Sequence, residues 1–237
     1  MKTTFLATLL VIALSCTAQE KSYSNDNFAI QKARVTHHAD LGLTVWQIDV
    51  KGTAGKTTPT PNGQLDGAPV LGYVFPTSLA ATDVGFSKTE GIVALALTSH
   101  PDFDDTPLWD ENNDANYTND GIIWHPHWVI LTEDKRVKGG LSVKQFKKAD
   151  STVVLPPTNP GMPMYMDSPG YSVISKNNTI KVIVPDYRIN HKTDFSYDGV
   201  TAFLKVNTSI ENMPMLGVYE VFSVASGDLS LPYTVKK

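Results

Sequence analysis

The residues best suited to chemistry lie in the run Ile122-Ile123-Trp124-His125-Pro126-His127-Trp128-Val129-Ile130-Leu131. Side chains alternate across a strand. His125 and His127 therefore share one face with Ile123, Val129 and Leu131, while Trp124, Pro126 and Trp128 share the other with Ile122 and Ile130. Both faces are apolar, which predicts a buried strand. Two imidazoles entering an apolar layer need partners, because an unsatisfied buried polar group costs about 1–3 kcal/mol. One metal ion satisfies both. His100 closes the preceding apolar stretch, in Thr98-Ser99-His100-Pro101-Asp102-Phe103-Asp104-Asp105, and consecutive strands are neighbours about two-thirds of the time. His100, His125 and His127 with one carboxylate among Asp102, Asp104 and Asp105 would make a shell for zinc or copper. A hydrogen-bonded pair of core histidines has the same sequence pattern. Pro126 cannot donate to a ladder, so it implies an edge position or a bulge at the mouth of a site.

Between Glu90 and Lys135 there is no Lys or Arg, yet the window holds nine carboxylates and three of the six histidines. Such crowding favours a bound cation. The stretch Asp110-Glu111-Asn112-Asn113-Asp114-Ala115-Asn116 places oxygen ligands at alternate positions, as the opening of a calcium loop does, and Asn119 or Asp120 would complete the shell. It is not an EF-hand: the sixth position is Ala115, the twelfth Gly121, and no helices flank it. Asp110, Asn112, Asp114, Asn116 and Asp120 are thus candidate ligands for a structural calcium, with a solvated Asn/Asp turn as the plainer reading. Met162-Pro163-Met164-Tyr165-Met166 and Met213-Pro214-Met215 contain every methionine except Met1. Their thioethers suit Cu(I), although alternate methionines also fill irregular cores. His37, His38 and His191 read as surface residues.

Catalytic signals are weaker. Gly-x-Ser-x-Gly, P-loop and Gly-x-Gly-x-x-Gly motifs are absent. A three-histidine metal site with an open position would activate water, with Asp102 or Asp104 as base. Trp109, Trp124 and Trp128 would alternatively make a stacking surface for carbohydrate or a protein partner.

These residues need a scaffold, and short β-type runs supply it. Residues 43–50, 70–75, 91–98, 122–131, 141–146, 171–174, 179–184, 200–206, 216–224 and 231–235 are rich in Val, Ile, Leu, Thr and aromatics, and Gly, Pro, Asn and Asp separate them. No helical period persists. The expectation is an all-β chain, a β-sandwich or Greek-key barrel of immunoglobulin-like size with long loops, as one domain over 41–237. Residues 19–40 read as a polar tether, 52–69 as a mobile surface loop, 154–170 as extended, and 99–121 as a functional loop.

Residues 1–18 read as an export signal: Lys2 precedes an apolar stretch from Phe5 to Leu14, too short to span a bilayer. Cleavage after Ala18 leaves a chain without cysteine. Alternatively Ala13-Leu14-Ser15-Cys16 resembles a lipobox, with Cys16 lipidated and anchoring the protein to an envelope membrane. Either route predicts a periplasmic, cell-surface or secreted protein. No later segment approaches a transmembrane span, and a net charge of −4 gives no case for nucleic acid.

The block from Thr98-Ser99-His100-Pro101-Asp102-Phe103-Asp104-Asp105-Thr106-Pro107 through Trp124-His125-Pro126-His127-Trp128 resembles the signature of an uncharacterised family of exported bacterial β-proteins, a resemblance covering about Val70 to Leu131. A looser similarity is to the surface copper-binding proteins of methane-oxidising bacteria, in which two histidines and an oxidised tryptophan hold Cu(I); their Trp-x-His spacing is absent here. Together these readings favour an exported protein that binds copper or zinc, with a structural calcium, for metal capture, storage or delivery. The alternatives are a metal-dependent hydrolase or oxidoreductase on the same histidines, and an envelope binding module.

Overall fold

The computed structural model describes residues 22–103, 110, 113–116 and 119–237. Thirteen strands make up the regular structure: β1 Ile30–His38, β2 Leu43–Val50, β3 Pro69–Thr77, β4 Ile92–Ser99, β5 His125–Glu133, β6 Leu141–Val143, β7 Met166–Asp167, β8 Val173–Lys176, β9 Thr179–Pro185, β10 Ser196–Tyr197, β11 Val200–Val206, β12 Leu216–Val224 and β13 Tyr233–Thr234. The all-β expectation is met. Strands β3, β4, β5, β6, β12 and β11 pair in that order, and β11 pairs back onto β3, closing a six-stranded barrel. A four-stranded antiparallel sheet, β1-β2-β9-β8, packs outside it.

Two apolar cores follow from the alternation of side chains on the barrel wall. Val70, Val74, Ala94, Ala96, Val129, Leu131, Ala202, Leu204 and Val218 point into the barrel. Tyr73, Phe75, Leu95, Leu97, Trp128 and Ile130 point outward and meet Val35, Trp46, Ile48, Ile180 and Val182 of the outer sheet. Trp46 is the centre of this second layer, edge-on to Phe75 at 5.4 Å and to Trp128 at 5.7 Å and stacked on Phe195 at 5.2 Å. The wall strands are therefore apolar on both faces because each separates two cores.

Residues 30–38 correct the tether reading. They form the edge strand β1, paired along its length with β2. Only Ala33 and Val35 of this strand are buried, so its apolar signal is small, and Gln31, Lys32 and Arg34 disguise it. β5 begins at His125 rather than Ile122, because residues 120–122 form a 3-10 turn in which the Ile123 amide donates to Asp120 O. Ile122 is consequently half exposed. The 52–69 loop is tied down: the Trp124 indole donates to Gly55 O at 2.8 Å, and the Thr60 amide to the Tyr23 hydroxyl at 3.0 Å.

Candidate metal centre

β4 and β5 are antiparallel neighbours, with Thr98 opposite His125 and Ala96 opposite His127. This register aims both histidines into the barrel. Two residues past Thr98, the chain bends so that the His100 amide donates to Gly121 O. Gly121 permits that approach, since a Cβ there would sit 2.3 Å from His100 O. The three imidazoles meet as a result. They are at most 2% exposed, and one ligating nitrogen from each lies within 4.8 Å of the others.

The hydrogen bonds around the rings bear on their tautomers. His100 Nδ1 is 2.7 Å from Phe103 O, and His125 Nδ1 is 2.7 Å from Ile123 O. A carbonyl oxygen only accepts, so both Nδ1 atoms carry hydrogen. In a neutral imidazole the other nitrogen then presents a lone pair. Those two Nε2 atoms face each other at 2.7 Å. Opposed lone pairs at that distance repel, and a cation between or beside them removes the conflict. A shared proton is the competitor. His127 Nδ1 bonds Ser168 Oγ at 3.0 Å, which orients its ring by the outer-partner arrangement usual for metal-binding histidines. Phe103 stacks flat on His100, centroids 4.2 Å apart and planes within 9°.

Ser168 lies in the 154–170 stretch, which contains the short strand β7. Beside Pro126, β5 has only β4 as a neighbour; β7 joins it at Trp128 and β6 at Leu131. The proline thus occupies a local edge, as its missing N–H requires. The methionine segment runs along β5 beyond this edge, with Asp167 opposite Trp128, Met166 opposite Val129 and Met164 bridged to Gln145. Asp167 anchors it by accepting from the Thr158 hydroxyl at 2.6 Å and from Arg188 Nη2 at 3.4 Å. Burial pushes the Asp167 carboxyl up, against the opposing pull of Thr158 and Arg188.

Met162, Met164, Met166 and Met215 line, with His100, His127, Phe103 and Thr98, an apolar cavity of about 20 Å³. That is room for one water-sized guest. Met213 is not among its walls. A further apolar cavity of about 60 Å³ continues into the barrel past Thr98, His127 and Met166. On the opposite side His125 borders an open cleft of about 390 Å³ with Asp110, Trp124 and Tyr171.

Several expected ligands are placed elsewhere. The Asp102 carboxylate accepts from the amides of Asn62, at 2.8 and 2.9 Å, and Gly63, at 2.7 Å. It is turned away from the histidines because those loop amides claim it. Asp110 accepts from the amides of Asp114 (3.0 Å) and Ala115 (2.7 Å), and Asp114 from the Asn116 amide (2.8 Å) and the Asn119 side chain (2.7 Å). These bonds close a tight turn with Asn113 and Ala115 at positive φ. Asp110, Asp114 and Asp120 do not gather as a cation-holding group among the described residues, where the His100, His125 and His127 cluster does. Trp124 and Trp128 are buried, so neither offers a stacking surface. Asp104, Asp105, Asn112, Trp109 and Cys16 lie outside the described residues. His37, expected at the surface, is mostly buried and pairs with Asp186 at 2.9 Å.

No protein-family model, curated protein or solved structure matches this chain. Among the described residues no helix is long and apolar enough to cross a membrane.

Proposed function

We propose that this is an exported metal-binding protein that holds one transition-metal ion, copper or zinc, on His100, His125 and His127, and serves metal capture, storage or delivery. One observation carries the reading: two imidazoles whose Nδ1–H groups are fixed by backbone carbonyls turn their Nε2 atoms toward each other at 2.7 Å. A tetrahedral ion with bonds of about 2.0–2.1 Å sets neighbouring nitrogens about 3.3 Å apart, so a small outward shift accommodates it. Burial of all three rings and the lining of closely packed apolar side chains favour retention of an ion over turnover at it.

The test is elemental analysis after reconstitution and desalting. Wild-type protein should carry close to one copper or zinc per chain, and the His125→Ala/His127→Ala variant essentially none. A wild-type protein that takes up no transition metal would sink the proposal. The cleft beside His125 supports a metal-dependent enzyme as the second reading. Perturbation of the bound metal's spectrum by small anions such as azide would favour it, since a closed shell gives no response.

A further inference from the structure

We infer that the ion is monovalent copper, held by imidazole together with thioether sulfur from the methionine wall. This rests on the histidines binding metal at all, and adds which metal, in which charge state and through which second ligand type.

The cavity beside His100 and His127 admits a single small guest, and its composition selects the guest. Four of its walls are thioethers, Met162, Met164, Met166 and Met215, drawn from two distant segments. Core filling alone does not require both Met-Pro-Met segments to converge on the face of a histidine cluster. Thioether and imidazole are neutral ligands, the first soft, and that pair suits Cu(I) over harder divalent ions. Charge points the same way. The cost of moving an ion out of water rises with the square of its charge, so a monovalent ion carries about a quarter of the divalent penalty in the same apolar space. Among the described residues no carboxylate lines this cavity to offset a second charge. An independent sign of a guest is Thr98. This residue lines both inner cavities, and its buried hydroxyl oxygen has no hydrogen-bond partner among the described residues.

The experiment loads the full chain with Cu(I) under anaerobic, reducing conditions and, in parallel, with Zn²⁺. X-ray absorption at the copper edge of the wild-type protein should show sulfur as well as nitrogen neighbours. Met→Leu replacements are nearly volume-conserving. The Met162→Leu/Met164→Leu/Met166→Leu/Met215→Leu variant should therefore lose Cu(I) affinity by 100-fold or more in competition with a chromophoric Cu(I) chelator, while Zn²⁺ affinity stays within threefold of wild type. Nitrogen-only scattering from the wild type overturns the inference whether or not the variant folds. Unchanged Cu(I) affinity in a folded variant overturns it as well. In both cases metal would still be lost on His125→Ala/His127→Ala, leaving the histidine site standing. Failure of wild-type protein to bind either ion would instead remove the site itself.

Discussion

Ser168 Oγ lies 3.0 Å from His127 Nδ1, so the segment that carries the methionines also sets the angle of a histidine. Removing the hydroxyl should free the ring without altering the cavity. Ser168→Ala is expected to weaken metal binding about 10- to 100-fold, the usual effect of losing an outer-shell partner. The metal-free protein should lose about 1–3 kcal/mol of stability with this buried bond. Competition titration and thermal melts check the two halves; unchanged affinity would show that Ser168 does not orient the ligand.

Asp102 offers the opposite outcome. Its carboxylate is occupied by the amides of Asn62 and Gly63, so Asp102→Ala should leave metal stoichiometry and affinity unchanged. It should cost about 1–2 kcal/mol of stability through the lost charge-assisted bonds. A large fall in metal affinity would return Asp102 to the ligand set.

The Asp110 turn is bonded internally by amide donors to both Asp110 and Asp114. Calcium or its chelator should accordingly shift the melting temperature by less than about 1 °C, because a bound ion would stabilise the folded state by mass action and be seen at once. Asp110→Ala should destabilise equally with and without calcium.

Asp134 provides a pH signature away from the histidine cluster. Its carboxylate accepts from Arg136 Nη2 at 2.6 Å, from Arg136 Nε at 2.8 Å and from the Ser142 hydroxyl at 2.9 Å. The Arg136 guanidinium is the main cause that draws its pKa from 3.8 down to about 2. A carboxylate with a depressed folded pKa adds stability that is fully present above its unfolded value and is lost as pH falls through the folded one. Wild type should therefore exceed Asp134→Asn by roughly 1–2 kcal/mol above pH 5, after allowing for solvent around the half-exposed arginine. The gap should close between about pH 4 and pH 2. Denaturant melts across that range measure it, and a gap independent of pH would refute the assignment.

The sequence made the barrel wall legible because wall strands such as β4 and β5 are apolar on both faces; residues 200–206 match wall strand β11 end to end, and residues 43–50 match β2 of the outer sheet. It made the histidine cluster legible because His125 and His127 share a face and β4 neighbours β5. Edge strand β1 was hidden because an outer strand buries only Ala33 and Val35. The fate of Asp102 was hidden for another reason: its partners, Asn62 and Gly63, lie in a loop with no periodic signal. Ser168 and the meeting of the two methionine segments depend on how residues 162–168 dock along β5, a tertiary event with no local signature.

Barrel topology also bears on when the site forms. All three histidines belong to one pair of consecutive strands and the turn between them, whereas the walls that shut over them require β11 and β12, from the far end of the chain, to pair with β3 and β6. Pairings close in sequence form before distant ones, because less chain entropy is lost in closing them. An unfinished chain would thus present the three histidines before the methionine wall and the rest of the enclosure exist. Metal supplied during folding should then load faster than metal offered to the completed barrel.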